Sequence, residues 1–154
     1  MYQIHGLQPF TQILIFLFSG EMVDILTMQV YKTKIKRLSG SGFHEIRIKA
    51  FGLFEDIKKK SKRRPYVRSA YFDKEKIFVS LFWSHLFKKQ NWRDRMRRMK
   101  YFPAAVELIQ KSKFKPASKN NPNEKNEILH RFAGTTADHH LFYVHIKEDK
   151  KGQK

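Results

Sequence analysis

Two stretches of the chain alternate between apolar and polar side chains with a period of two: Glu127 to Ala133 (EILHRFA) and Leu141 to Glu148 (LFYVHIKE). That period turns successive side chains to opposite faces, so each stretch predicts a strand with one face against a core. Residues 134–140 (GTTADHH) between them are turn-like, and the pair reads as an antiparallel hairpin. With the turn centred on Ala137, Arg131 falls opposite Tyr143, Leu129 opposite His145 and Glu127 opposite Lys147. This register sets opposite charges side by side. Ile128, Phe132, Phe142, Val144 and Ile146 then form one apolar face, with His130 as its polar member, a structural core histidine. Glu127, Arg131, Tyr143, His145 and Lys147 share the other face.

The apolar face needs a covering layer, and residues 73–112 supply the pattern for one. Asp73 is expected to cap a helix reaching Lys89, with Ile77, Phe78, Leu81, Phe82 and His85 at helical spacing and Trp83 and Leu86 widening the buried surface. Asn91 opens a second helix, with Asp94 in its first turn and a stripe of Trp92, Met96 and Met99. Pro103 suits the first turn of a third, Ala104 to Ser112, with Ala105, Leu108 and Ile109 inward. The expected fold class is therefore α+β, a helical layer over about residues 73–112 followed by a small antiparallel sheet at 127–148. The run Asp149 to Lys154 is turn chemistry with no returning strand, so the sheet is expected to lack a final strand and to keep an open edge.

Residues 1–30 are apolar and low in charge. The run Ile13 to Phe18 predicts a buried strand or a short core helix; a membrane span needs about 20 apolar residues. No basic region precedes that run, so no signal peptide is expected. Val30 to Leu38 and Phe43 to Phe51 each alternate and are joined by Ser39-Gly40-Ser41-Gly42, which predicts a second hairpin over 30–51. The chain thus divides into an N-terminal segment (1–56), a basic linker or arm (57–72) and an α+β domain (73–154).

Lys and Arg number 32 against 14 Asp and Glu, a net charge of +18. So large an excess repels itself in the folded state and points to an anionic partner. Nucleic acid, an anionic membrane surface and an acidic protein all satisfy that charge, which alone does not choose among them; the partners expected from the whole reading are nucleic acid, RNA foremost, and an acidic inhibitor or antitoxin protein, with no membrane. Lys58, Lys59, Lys60, Arg63 and Arg64 on the arm, and Arg93, Arg95, Arg97, Arg98 and Lys100 on the second helix, are the candidate phosphate contacts. Trp92, Tyr66 and Tyr71 are candidate stacking surfaces. The absence of cysteine excludes disulfides, thiolate metal sites and a Cys nucleophile, and fits a reducing, cytoplasmic setting. No phosphate-cradling glycine motif or nucleophile elbow occurs, and no cofactor is expected. Nor is a metal expected, since His139 and His140, adjacent on a turn, would rarely converge with Asp138 and His145.

The polar face of the hairpin carries the groups that metal-independent RNA cleavage needs. Glu127 and His145 fall as diagonal neighbours, ~7–8 Å apart. A scissile phosphate fits between them, with Glu127 taking the 2′-OH proton and His145 protonating the leaving oxygen. Arg131 and Lys147 would stabilise charge on phosphorus, Tyr143 lies on the same face, and His139 and His140 are spare acids. The bland alternative is a solvated sheet face with an ordinary Glu–Lys cross-strand pair.

The passages KRRPYVRSAYFDKEKI, NWRDRMRRMKYFPAAVELI and EILHRFAGTTADHHLFYVHIKEDKKGQK resemble phage- and mobile-element-associated nucleases of the barnase–EndoU–colicin–RelE type. The resemblance runs from about Lys62 onward. It implies helices that precede a small antiparallel sheet, RNA bound and cut on that sheet, and a toxin-like or defence-related endoribonuclease. The first 56 residues take no part in it. The other function the composition supports is non-catalytic RNA or DNA binding through the basic surface of 57–100.

Overall fold

A computed structural model describes residues 28–88 and 90–150, together with the backbone of residues 11–16. The elements are, in chain order, β1 (Thr11–Phe16), β2 (Val30–Lys32), α1 (Phe43–Lys60), β3 (Tyr66–Arg68), β4 (Lys76–Phe78), α2 (Ser80–Lys88), α3 (Trp92–Lys111), β5 (Ala117–Asn120), β6 (Glu127–Thr135) and β7 (Leu141–Asp149). The described strands form one mixed sheet in the order β2-β6-β7-β1-β4-β3, with β5 also pairing to β6. The β1–β4 and β2–β6 pairs are parallel and the rest antiparallel. The helices supply Ile46, Ala50, Trp83, Leu86, Phe102 and Leu108, among others, to a single core whose sheet side is Val67, Ile77, Phe132, Phe142, Val144 and Ile146. The fold is α+β, as the alternation and helical periodicity predict. No described helix is long and apolar enough to cross a membrane.

The hairpin expected over 30–51 does not form. Val30–Lys32 pairs in parallel with Ala133–Thr135, and residues 43–60 are one helix. The apolar residues Ile46, Ala50, Phe54 and Ile57 recur every three to four positions and are buried together. This longer period outweighs the short alternation through Ile46, Ile48 and Ala50, and Ile48 is left 60% exposed. Glu45 in the first turn and Lys58, Lys59 and Lys60 in the last suit the helix dipole.

The helix expected from Asp73 begins at Ser80 instead. Asp73 and Lys74 have positive φ and make the turn of a β3–β4 hairpin, in which Tyr66 pairs with Phe78 and Arg68 with Lys76. Ser69 closes it, its N–H donating to the Glu75 carbonyl and its hydroxyl accepting from the Phe72 N–H. Ile77 belongs to this strand, buried at 0% exposure beside Val79. The expected helix end at Lys89 lies outside the described residues. The second and third expected helices are one, α3, with Pro103 inside it. Asn91 caps it as expected, its side chain accepting from the Arg93 N–H at 3.0 Å.

In the β6–β7 hairpin the core face is that given by the alternation, but the register differs by two. Arg131 is opposite His145, Leu129 opposite Lys147 and Glu127 opposite Asp149. The turn centres on Asp138, because Thr135 still pairs with Leu141 and His139 adopts a positive φ of 64°. Asp138 is held there by the Arg37 backbone N–H and guanidinium, each at 3.1 Å. Burial raises its pKa, but hydrogen bonds from the Thr136 side chain and Arg37 outweigh this and hold it well below the usual carboxylate range. The open edge expected beside β7 is occupied: β1 pairs along it from Gln12↔Lys147 to Phe16↔Tyr143. The run Ile13 to Phe18 is a strand as far as Phe16; residues 17 and 18, all but Met28 of the run Val23 to Met28 that ends the apolar N-terminal stretch, and the terminal residues 151–154 lie outside the described residues.

Candidate nucleic-acid interface

Because the helices pack on the face that carries Ile77, Val144 and Phe132, the side chains that alternate with these point to the opposite, outer face. The strand registers join there into one continuous row. Tyr66 on β3 pairs with Phe78 on β4, Phe78 aligns with Gln12 of β1, and Gln12 with Lys147 on β7. Lys147 in turn pairs with Leu129 on β6, and Leu129 with Lys119 on β5. At ~4.8 Å per strand the row is about 24 Å long. The next row carries His145, Arg131 and Ala117.

At the β5 end of the row, Ala117, Ser118, Lys119, Leu129, Arg131 and His145 line a cavity of about 290 Å³. The Arg131 Nε–H donates to His145 Nε2 at 3.2 Å, and the guanidinium lies 5.6 Å from the Tyr143 ring centre. Burial, reinforced by the charges of Arg131 and Lys119, lowers the His145 pKa to about 4. His145 is therefore neutral near physiological pH and has no proton of the kind a general acid delivers.

Glu127 is elsewhere. It sits four residues along β6 from Arg131, the partner of His145, which is about 13 Å in an extended strand. Its carboxylate accepts from the Asn121 side-chain amide at 2.8 Å and lies 3.4 Å from the Lys147 ammonium. The expected Glu127–His145 pair around one phosphate is thus not formed, because the register that would have made them diagonal neighbours is shifted. Arg131, His145 and Tyr143 are brought together; Glu127 and Lys147 form a separate ion pair. Tyr143 is itself buried.

At the other end of the row, cations surround two rings. The Arg64 guanidinium is 4.4 Å from the Phe78 ring centre, the Lys76 ammonium 4.7 Å and the Arg68 guanidinium 5.5 Å from that of Tyr66. Such approaches fall within cation–π range. Tyr66 and Phe78 meet edge to face and line, with Lys62, Arg63, Arg64 and Lys76, a groove of about 480 Å³. A second hollow of about 360 Å³, which Tyr66 also lines, is bounded in part by Lys60, Arg68 and Lys74.

The basic surface expected over 57–100 is split in two. Lys58, Lys59, Lys60, Arg63 and Arg64 lie at the C-terminal end of α1 and beside β3. The α3 cluster lies at that helix's start, and Arg93 is about 25 Å along the helix from Gln110, which lines the hollow beside Tyr66. Within the cluster, Arg93 and Arg97 are exposed. Arg98 is 12% exposed and bound to Asp94 at 3.0 Å. Arg95 lies 5.7 Å from the Phe43 ring centre and donates to the Gln90 carbonyl. Lys100 is half-buried. Of the expected stacking residues, Tyr66 stands in the groove, Tyr71 packs against Phe72 and Phe132, and Trp92 is 47% exposed next to Arg93.

His130 is the core histidine that the alternation predicts, with Nδ1 2.7 Å from the Ser118 hydroxyl and Nε2 2.8 Å from the Glu148 carboxylate. Among the described residues, no group of three or more His, Asp or Glu gathers to hold a metal ion. Arg68, Lys76 and Lys119 are not singled out by the sequence, and Phe78 is read there only as part of a helix's apolar face. Their signal is the alternation Tyr66-Val67-Arg68 and Lys76-Ile77-Phe78 around a tight turn, which basic runs and helical spacing obscure. Comparison with protein-family models, with curated proteins and with solved structures gives no match.

Proposed function

We propose that the protein binds single-stranded nucleic acid, RNA foremost, across the outer face of its sheet. The observation that carries this is the single row with Tyr66 and Phe78 at one end, Lys147 in the middle and Lys119 at the other. Half-exposed rings on a sheet offer stacking surfaces to bases that are not paired, and each stacked base contributes about 1–3 kcal/mol. The cations beside them neutralise phosphates and release counterions, so affinity falls steeply with salt. Fluorescence anisotropy with a labelled single-stranded RNA tests this. Tyr66→Ala and Phe78→Ala are each expected to weaken binding about tenfold, and Arg93→Ala with Arg97→Ala to weaken it less. Salt-insensitive binding, or a larger loss from the α3 variants, sinks the proposal.

A second reading, metal-independent cleavage of RNA, is favoured by one observation: a neutral His145 beside Arg131 and Lys119. Here His145, in place of Glu127, exchanges the Arg131 N–H at Nε2 for the 2′-OH, takes its proton as the 2′ oxygen bonds to phosphorus, and gives that proton to the 5′ oxygen as the P–O5′ bond breaks, while the two cations stabilise the charge on phosphorus. Incubation with RNA in EDTA is expected to yield 2′,3′-cyclic phosphate ends that His145→Ala abolishes. Ends of the 5′-phosphate type, or equal cleavage by the variant, eliminate this mechanism.

A further inference from the structure

Tyr66 lines two hollows whose other walls differ. The groove it shares with Lys76 and Phe78 opens on the outer face of the sheet. The other, of about 360 Å³, takes in Val67, which alternates with Tyr66 and is buried towards the helices. Its further walls include Lys60 and Ser61 at the end of α1 and Gln110 near the end of α3. Since β3 stands last in the sheet order, this second hollow lies round the edge of β3, on the side of the helices.

Hydrogen bonds hold those walls in place. The Ser61 hydroxyl donates to the Ile57 carbonyl at 2.8 Å and accepts from the Tyr66 N–H at 3.3 Å, which ties the end of α1, and with it Lys60, to β3. The Ala70 N–H donates to the Ile109 carbonyl at 3.0 Å and sets the end of α3 beside the same strand. The Arg68 guanidinium donates to the Lys74 carbonyl at 2.9 Å and braces the turn that carries Lys74. Lys60, Arg68 and Lys74 thus converge on one hollow whose lining holds no carboxylate. Among the described residues none of the three belongs to an ion pair. Three such cations beside a tyrosine ring suit a phosphate next to a base.

Resting on the nucleic-acid reading above, we infer that the bound strand turns over the edge of β3 at Tyr66, and that Lys60, Arg68 and Lys74 hold the phosphate next to the nucleotide stacked there. An unpaired strand makes such a turn freely, whereas a short duplex is a stiff rod. A duplex lying on the outer face leaves the hollow empty, so the hollow selects unpaired strands. Lys60 and Lys74 are the specificity-determining residues.

The test measures the anisotropy of a labelled twelve-nucleotide RNA, alone and annealed to its complement, with the full chain over a series of salt concentrations. The parent is expected to bind the single strand about tenfold tighter than the duplex. Lys60→Gln with Lys74→Gln is expected to weaken the single strand about tenfold and the duplex less than about twofold. The same pair is expected to lower the slope of log affinity against log salt for the single strand by about 0.7, the share of one phosphate. Lys34→Gln with Lys36→Gln removes equal charge from exposed positions beyond β2, at the other edge of the sheet, and is expected to weaken both ligands by one smaller factor. Equal losses for single strand and duplex in Lys60→Gln with Lys74→Gln, or losses no different from those of the control pair, overturn the inference and leave the nucleic-acid reading standing. A parent that binds the duplex as tightly as the single strand overturns the selection and with it the turn over β3. Failure of the parent to bind either ligand overturns both the inference and the reading on which it rests.

Discussion

Acidification acts on the candidate site through His145. Burial, with Arg131 and Lys119 adding to it, lowers the pKa of this histidine from 6.5 to about 4 in the folded protein. The unfolded chain takes up the proton near the ordinary value and the native protein resists it for a further two to three pH units. Between those values the unfolded state binds more protons, so stability is fully present above about pH 6.5 and is lost as pH falls towards 4. The full difference is about 3 kcal/mol, of which about 2 kcal/mol falls between pH 7 and pH 5. That is a large share of the ~5–15 kcal/mol that holds a domain together. Urea denaturation at the two pH values, in phosphate-free buffer, measures it against His145→Gln, whose amide stays neutral and still offers Arg131 an acceptor. The parent is expected to lose about 2 kcal/mol more than the variant over this interval. Equal losses, or a His145 ring resonance that titrates near 6.5 in the native protein, refute the reasoning.

Two further substitutions probe the packing that positions the site. A methyl group at Gly134 would meet Leu108 Cδ1 at 2.6 Å and Phe142 Cζ at 2.8 Å. Gly134→Ala is therefore expected to cost about 1–3 kcal/mol, and less in a Leu108→Ala background; additive losses in the double variant would contradict the clash. Glu107, 5% exposed, accepts from the Lys34 backbone N–H at 3.0 and 3.2 Å and from the Tyr31 hydroxyl at 3.3 Å. Glu107→Ala strands both donors and is expected to cost about 2–4 kcal/mol, with Glu107→Gln recovering part of it. A thermal midpoint unchanged in Glu107→Ala would show that these bonds do not anchor β2 to α3.

The C-terminal hairpin was legible because its period of two is long and unbroken. The sequence placed Phe132, Phe142, Val144 and Ile146 in the core and Arg131 and His145 on the outer face. Its register was not, since shifting the turn centre by one residue preserves every face and only moves the partners. What decides it is the tie from Arg37 to Asp138, about a hundred positions away in the chain and invisible to local reading. Helix α1 was misread for a related reason. Ile46 and Ala50 satisfy both periods while Ile48 satisfies only the shorter, and only Phe54 and Ile57 further on settle the longer one. The β3–β4 hairpin hid within a helical pattern because three-residue strands leave too few positions to establish a period. Charge alone picks out the basic residues, but it gives no hint that Arg95 and Arg98 are engaged in holding α3 while Arg68, Lys76 and Lys119 face the outer row.

The most direct measurement is photo-crosslinking of the full chain to a single-stranded RNA carrying 4-thiouridine at successive positions, with the crosslinked peptides mapped by mass spectrometry. Crosslinks are expected in the segments holding Tyr66 and Phe78 and, as the label moves along the strand, in those holding Lys147, Leu129 and Lys119. Crosslinks confined to residues 92–98 at the start of α3, with none on β3, β4 or β7, would contradict binding across the sheet.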